Sequence, residues 1–253
     1  MPQSQDANHA PFRGLAVAGL AGVAAFVLAV VALHATSLAH EPWHMSEFAN
    51  TRFWLLWAIA LLGFAVGGAL LTFALRPQLA RSGWQRAGLA MLWLAGIGAV
   101  VMAACPVDRD AGRPSLPGTI HERVGPPTFA LSGAAMVVLV PAFRSCAAWR
   151  PFARPSLVMG IGVSCSALAY VSCTAARWAA AALAQRLLVG LIAAWFILLA
   201  TRLLRQHGPN PPSVPLDERL EARPGPTPPR KTRQPAVRRK ARPTSHGRVG
   251  VRS

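Results

Sequence analysis

The sequence predicts an all-α membrane protein: a bundle of six transmembrane helices followed by a basic tail. Three observations carry that prediction. Hydrophobic residues make up 53% of the 253, and the mean hydropathy is +0.36 in spite of a long polar end. Charged residues are 14% of the chain, against about 25% in soluble domains. The apolar residues fall into six runs that can cross a bilayer at about 20 residues per helix.

Residues 1–13 are polar. The run 14–38 is the first span, interrupted only by His34, Thr36 and Ser37. It exceeds the roughly 7–15 apolar residues of a signal peptide, so it reads as a retained helix. The second span is 53–75, where Gly63 and Gly67 have the spacing that lets two helices approach closely. A basic loop, 76–86, leads to the third span, 87–104, stopped by Cys105-Pro106 because proline cannot continue the helical ladder. Residues 111–127 read as a Gly/Pro-punctuated loop. The fourth span, 128–143, is short unless its helix begins nearer His121, and Pro141 frays its end. A second basic loop, 144–155, precedes the fifth span at 157–173. The sixth is 187–204, with 179–184 available as an extra turn or two. Residues 14–205 therefore form one transmembrane domain, with no room for a soluble one.

Orientation rests on arginines. The loops after spans two and four carry Arg76, Arg81, Arg86, Arg144, Arg150 and Arg154. The other three loops carry Arg52, Arg109, Arg113, Arg123, Arg177 and Arg186, an equal number. The start of the tail, with Arg202 and Arg205, breaks the tie and places both termini in the cytoplasm of an inner or plasma membrane. Trp43, Trp54, Trp57 and Trp178 then suit the outer interface, and Trp84 and Trp149 the inner one. The net charge of +17 is concentrated in the tail, since thirteen of the 26 Lys and Arg lie in 202–252. Proline and like charges make 206–253 a disordered segment by composition. Its expected partner, beyond the bilayer itself, is anionic lipid headgroups, at about 1 kcal/mol per basic residue near the surface. Nucleic acid, whose binding is strongly salt dependent, is the disfavoured alternative.

The chemistry-bearing residues are gathered in two stretches, 40–47 and 108–122. They hold all five carboxylates of 11–204 and three of its four histidines. His40-Glu41-Pro42-Trp43-His44 matches the H-E-x-x-H zinc peptidase pattern in letters. Pro42, however, forces Glu41 away from the helical geometry that the pattern needs, and the match is read as accidental. Ser46 and Glu47 suit a helix cap and its first turn. They equally suit a site in which Glu47, Asp108 and His121 converge from separate loops at one membrane face. Such a trio can bind a divalent metal such as zinc, act as acid and base on a lipid headgroup, or cradle a cation. Ser46 and Arg186 are candidate substrate-binding groups at the same face. Arg186, at the start of span six, is expected to pair with Glu47, Asp108 or Asp110. The competing reading is a hydrogen-bonded latch that only ties the loops together. His34 and 164–166 read as ordinary inter-helix hydrogen-bonding groups. The four cysteines show no metal-ligand spacing. They read as small apolar residues, with a Cys105–Cys173 disulfide left open because both lie near the outer end.

These residues resemble a family. His44-Met45-Ser46-Glu47-Phe48-Ala49, Cys105-Pro106-Val107-Asp108, Gly118-Thr119-Ile120-His121, and Gln185-Arg186-Leu187 with Trp195 are similar to the motifs of an uncharacterised six-span family of bacteria and archaea. It is known as domain of unknown function 998 (DUF998). The resemblance covers 14–204 and implies that Ser46, Glu47, Pro106, Asp108, His121 and Arg186 form the polar signature. The chain departs from it at Cys105, where an aromatic is more usual, and in lacking a glycine just before Gln185. No activity comes with the resemblance. Two readings stay open: an enzyme or binding protein for an amphiphile at the outer leaflet, and a non-catalytic scaffold with locked loops. Solute transport is weakened because no span carries Asp, Glu or Lys at mid-depth. A cavity between spans two, three, four and six, lined by these side chains, would favour a site over a latch.

Overall fold

The computed structural model describes residues 10–36, 44–108, 114–176 and 178–206. Among them there is no strand. The helices are α1 (Ala10–Thr36), α2 (Trp54–Leu75), α3 (Gly83–Ala104), α4 (Leu116–Val138), a short α5 (Val140–Ser145), α6 (Arg150–Ala175) and α7 (Ala180–Gln206). A 3-10 segment, Met45–Asn50, precedes α2. Six segments are long and apolar enough to cross a membrane, α4 and α5 together making one of them. The tail from His207 onward, residues 37–43 with Trp43 and all of the H-E-x-x-H match but His44, residues 109–113 and Arg177 lie outside the described residues.

Chain neighbours pack side by side all the way round. α1 lies on α2, α2 on α3, α3 on α4, α4 on α6 and α6 on α7, and α7 returns to α1. The product is an up-and-down ring of six spans. The ends of α1, α3 and α6 meet the starts of α2, α4 and α7 at one end. Large apolar side chains such as Leu28, Ile97, Leu168 and Leu183 point outward, each more than half exposed. Helices apolar on every face are at home in lipid.

Small residues set the closest contacts. A Cβ on Gly67 would lie 2.7 Å from the Gly19 carbonyl oxygen, and one on Gly22 would lie 2.6 Å from that of Gly63. The Gly63/Gly67 pair is thus a helix crossing, and its partner is α1 through Gly19 and Gly22. On the far side of the ring a hydrogen-bonded relay joins three helices. Trp195 Nε1 donates to Ser156 Oγ at 3.1 Å, and that hydroxyl donates to the Met136 carbonyl at 2.8 Å.

Several helices begin earlier than the apolar runs suggest. α3 starts at Gly83 because Ser82 caps it, accepting from the Gln85 amide. α6 starts at Arg150, with Pro151 in its first turn, where a missing N–H costs nothing. α4 starts at Leu116, twelve residues before the expected span. Ser115 supplies the cap, Pro117 sits in the first turn, and Pro126 and Pro127 lie inside the helix. Those two prolines leave the carbonyls of Glu122 and Arg123 without their usual i+4 donor. Pro141 does not simply fray the end of α4; it sits in the first turn of α5.

The expected aromatic belt is only partly present. Trp54, Trp84 and Trp178 are exposed, but Trp57 is buried and Trp149 fully so, stacked on Phe143 at 5.6 Å between ring centres. Ser164 bonds back to the Gly160 carbonyl of its own helix instead of crossing to a neighbour. All four cysteines, Cys105 and Cys173 included, are free thiols.

Candidate functional site

At the end of the ring where α2, α4 and α7 begin, a cavity of about 980 Å³ opens to solvent. Its wall includes Glu47, Asp108, His121, Glu122 and Tyr170. Below it a narrow apolar shaft of about 80 Å³ runs between α2, α3, α4 and α7, with Phe26 of α1. Ser46, Met102, His121, Phe129 and Gln185 line both, so the two spaces meet at a collar. From Gln185 at the collar to Phe196 at the floor, α7 advances about 16 Å at 1.5 Å per residue. The wall between is mostly carbon, with residues such as Leu61, Leu92, Ala99 and Ile192, but it also holds Thr128, Ser132 and Trp57, whose indole Nε1 is buried without a hydrogen-bond partner.

The collar atoms have fixed roles. His121, only 8% exposed, places Nδ1 at 2.7 Å from the Cys105 carbonyl oxygen. A carbonyl can only accept, so Nδ1 carries a proton and Nε2 is the ring nitrogen left over for other partners. Gln185 is equally constrained. The Met45 amide can only donate, and it donates to Oε1 at 2.7 Å, which fixes the amide and leaves its NH₂ as a donor. Ser46, 7% exposed, lies inside the 3-10 segment and does not cap a helix; the residue at the cap position is His44. Neither Ser46 Oγ nor His121 Nε2 has a hydrogen-bond partner among the described residues. One imidazole nitrogen, one amide donor and one hydroxyl thus surround the neck between water and the apolar shaft.

Asp108 has a second task. Its carboxylate accepts from the Ser115 amide at 2.9 Å and from the Ser115 hydroxyl, whose oxygen in turn accepts from the Gly118 amide at 3.1 Å. The Ser115 hydroxyl and then its amide hold the Asp108 carboxyl below the ordinary carboxylate range, against a small opposing desolvation. Only glycine fits beneath it, since a Cβ on Gly118 would lie 2.0 Å from Asp108 Oδ2. This is a loop latch that closes the start of α4, and its free edge faces the vestibule.

Glu47, Asp108 and His121 therefore line one cavity, together with Ser46. Among the described residues no three His, Cys, Asp or Glu side chains converge closely enough to hold a metal ion. The trio shares a cavity without forming a ligand set. Arg186 is not on the cavity wall. Its Nε donates to His34 Nε2 at 3.2 Å, and His34 Nδ1 donates to the Val30 carbonyl at 2.8 Å. Arg186 thus joins α7 to α1, one helical step round from the collar. Gln185 holds the place expected of its neighbour. An amide inside an apolar run was the available signal for it. Tyr170 and Phe129 carried no signal, because an aromatic in a span is ordinarily lipid-facing or core.

A family model described as "Protein of unknown function (DUF998)" matches residues 16–202, from the first turns of α1 to the last of α7. No curated protein and no solved structure matches the chain. The match takes in every wall of the vestibule and shaft and stops short of the basic tail, so the chain belongs to the DUF998 family of multi-pass membrane proteins.

Proposed function

We propose that the protein binds a single-chain amphiphile, with the tail in the shaft and the polar head in the vestibule. The observation that carries this reading is the shared collar: an apolar slot with a ring of hydrogen-bonding groups at its mouth and a wide polar chamber above. An entirely apolar ligand would leave Ser46, His121 and Gln185 facing hydrocarbon, at the cost of burying unpaired polar groups. A small hydrophilic solute would find below the collar only the hydroxyls of Thr128 and Ser132 and the Trp57 Nε1 donor in a wall otherwise apolar. His121, whose Nδ1 is tied to the Cys105 carbonyl, has Nε2 to exchange a proton with a head group, so the same geometry suits binding with or without a reaction.

Arginine placement supports an outward vestibule. Among the described residues the opposite end carries Arg13, Arg76, Arg81, Arg86, Arg144, Arg150, Arg154, Arg202 and Arg205, against Arg52, Arg123 and Arg186 at the vestibule end. The richer end belongs in the cytoplasm. Both chain termini then lie inside, and the vestibule opens at the outer leaflet. A pure scaffold would account for the Asp108–Ser115 latch but leaves the shaft without a purpose.

The test is mass spectrometry of amphiphiles that copurify with the protein. We expect one class enriched over the surrounding membrane and lost in Ala99→Trp, which fills the shaft below the collar. Identical profiles for wild type, Ala99→Trp and bulk membrane would overturn the reading.

A further inference from the structure

Resting on the amphiphile reading, we infer that the group seated at the neck of the shaft is an acyl carbonyl, so that the ligand is an ester or amide of a long-chain acid. Trp57 is the starting point. It is 6% exposed and lines the shaft, yet its indole Nε1 is buried with no hydrogen-bond partner among the described residues. A buried donor left unpaired is costly, and native proteins leave few of them. Trp149 Nε1 is also unpaired, but Trp149 lines neither the shaft nor the vestibule.

Gln185 supplies a second donor at the same level. Its Oε1 is held by the Met45 amide, which leaves the NH₂ to donate. α2 and α7 both run away from the vestibule. Trp57 lies eleven residues before Gly68, Gln185 lies eleven before Phe196, and a Cβ on Gly68 would meet the Phe196 ring at 3.0 Å. Both donor residues therefore stand about 16 Å above one floor. Trp57 also packs on Phe48, at 5.9 Å between ring centres, in the 3-10 segment that carries Met45 and Ser46. It lines the shaft and not the vestibule, so its side chain belongs to the inner edge of the neck.

An indole N–H and an amide NH₂ only donate. Their complement is an oxygen with two lone pairs and no hydrogen of its own, as in a carbonyl. A hydroxyl would bring a proton that needs a further acceptor, and an ether oxygen accepts weakly. Position points the same way. The atom at the mouth of an apolar slot is the one that joins tail to head, and in an acyl chain that atom is the carbonyl carbon. An ester or amide carbonyl is uncharged, so the preference holds whatever the charge of the vestibule.

The experiment compares two uncharged probes, 1-decanoylglycerol and 1-O-decylglycerol, which differ only in the carbonyl, on the full chain in a non-ionic amphipol. Affinities are read by calorimetry below the concentration at which the probes aggregate. We expect the ester to bind about tenfold tighter than the ether. That preference should shrink severalfold in Trp57→Phe, which removes the donor and keeps an aromatic ring. With an isotopic label at the ester carbonyl, its infrared stretch should fall in frequency on binding to wild type. Equal binding of ester and ether, as a water held by the two donors would give, overturns the acyl inference and leaves the amphiphile reading standing. A preference undiminished in Trp57→Phe does the same. If that variant does not fold, an unshifted carbonyl stretch in wild type overturns the acyl inference. Failure of both probes, with Ala99→Trp indistinguishable from wild type in its copurified amphiphiles, overturns both.

Discussion

The shaft makes a quantitative prediction about chain length. Its wall on α3 runs from Met102 at the collar to Leu92, ten residues or about 15 Å. With carbon–carbon bonds near 1.5 Å, an extended chain of about twelve carbons spans that depth, and with only about 80 Å³ free the lining side chains must part to admit it. For ligands supplied from water, each methylene buried contributes about 0.8 kcal/mol, close to a fourfold gain in affinity. Affinity in a homologous series should therefore rise about fourfold per carbon and level off near twelve, where the tail meets the floor at Phe196 and Gly68. Ala99 is three residues, about 4.5 Å, below Met102. Ala99→Trp should move the plateau to roughly four carbons while leaving the shortest ligands unchanged. The assay is calorimetric titration of alkyl ligands of increasing length, with the protein in amphipol. From a bilayer the slope would vanish, because a lipid tail moving into the shaft exchanges one apolar surrounding for another. If wild type and Ala99→Trp give superimposable curves, or if affinity climbs without a plateau, the shaft is not where the tail resides.

Three further outcomes follow from the packing and the latch. Gly67→Val places a side chain where the Gly19 carbonyl stands at 2.7 Å from a Cβ, and should cost about 1–3 kcal/mol in detergent unfolding. Gly63→Ala, whose Cβ meets only the Gly22 oxygen at 3.8 Å, should be tolerated. Ser156→Ala leaves the buried Trp195 Nε1 without its acceptor and should destabilise by about 1–3 kcal/mol; Ser156→Thr keeps an acceptor, and comparing the two melts separates hydrogen bond from volume. The Asp108 latch has a definite pH sense. Its folded pKa is depressed, so its contribution is complete above the unfolded carboxylate value, near 3.9, and is lost as pH falls through the lower folded value. Hydrogen exchange at the first turn of α4 should therefore stay constant from pH 7 to about pH 5 and rise only in stronger acid, after correction for intrinsic rates. Asp108→Asn should raise exchange there throughout that range.

The membrane class and the number of spans are legible because hydrophobicity is a property of runs, and lipid demands long ones. Helix starts are less legible for a local reason. At 83, 116 and 150 the first turns are built from Ser caps, glycine and proline, which by composition read as loop but which supply or excuse the free amides of a helix start. The polar stretches could be assigned to one end of the bundle because alternate connections of an up-and-down ring must meet. Which side chain turns inward could not be assigned. Neighbouring residues on a helix point about 100° apart, so Gln185 and Arg186 are interchangeable to composition but not to the ring. One faces the collar, and the other faces His34 across the α1/α7 seam. The same rotation decides between site and latch. Asp108 looks toward Ser115 and so secures the start of α4, whereas His121, about a turn and a half further along α4, looks toward the ring axis. The latch and the cavity are therefore successive levels of one structure. Securing the first turn of α4 holds His121 at the collar, so a loss of ligand in Asp108→Asn should come with loosened α4 amides, whereas His121→Ala should lose ligand with those amides still protected.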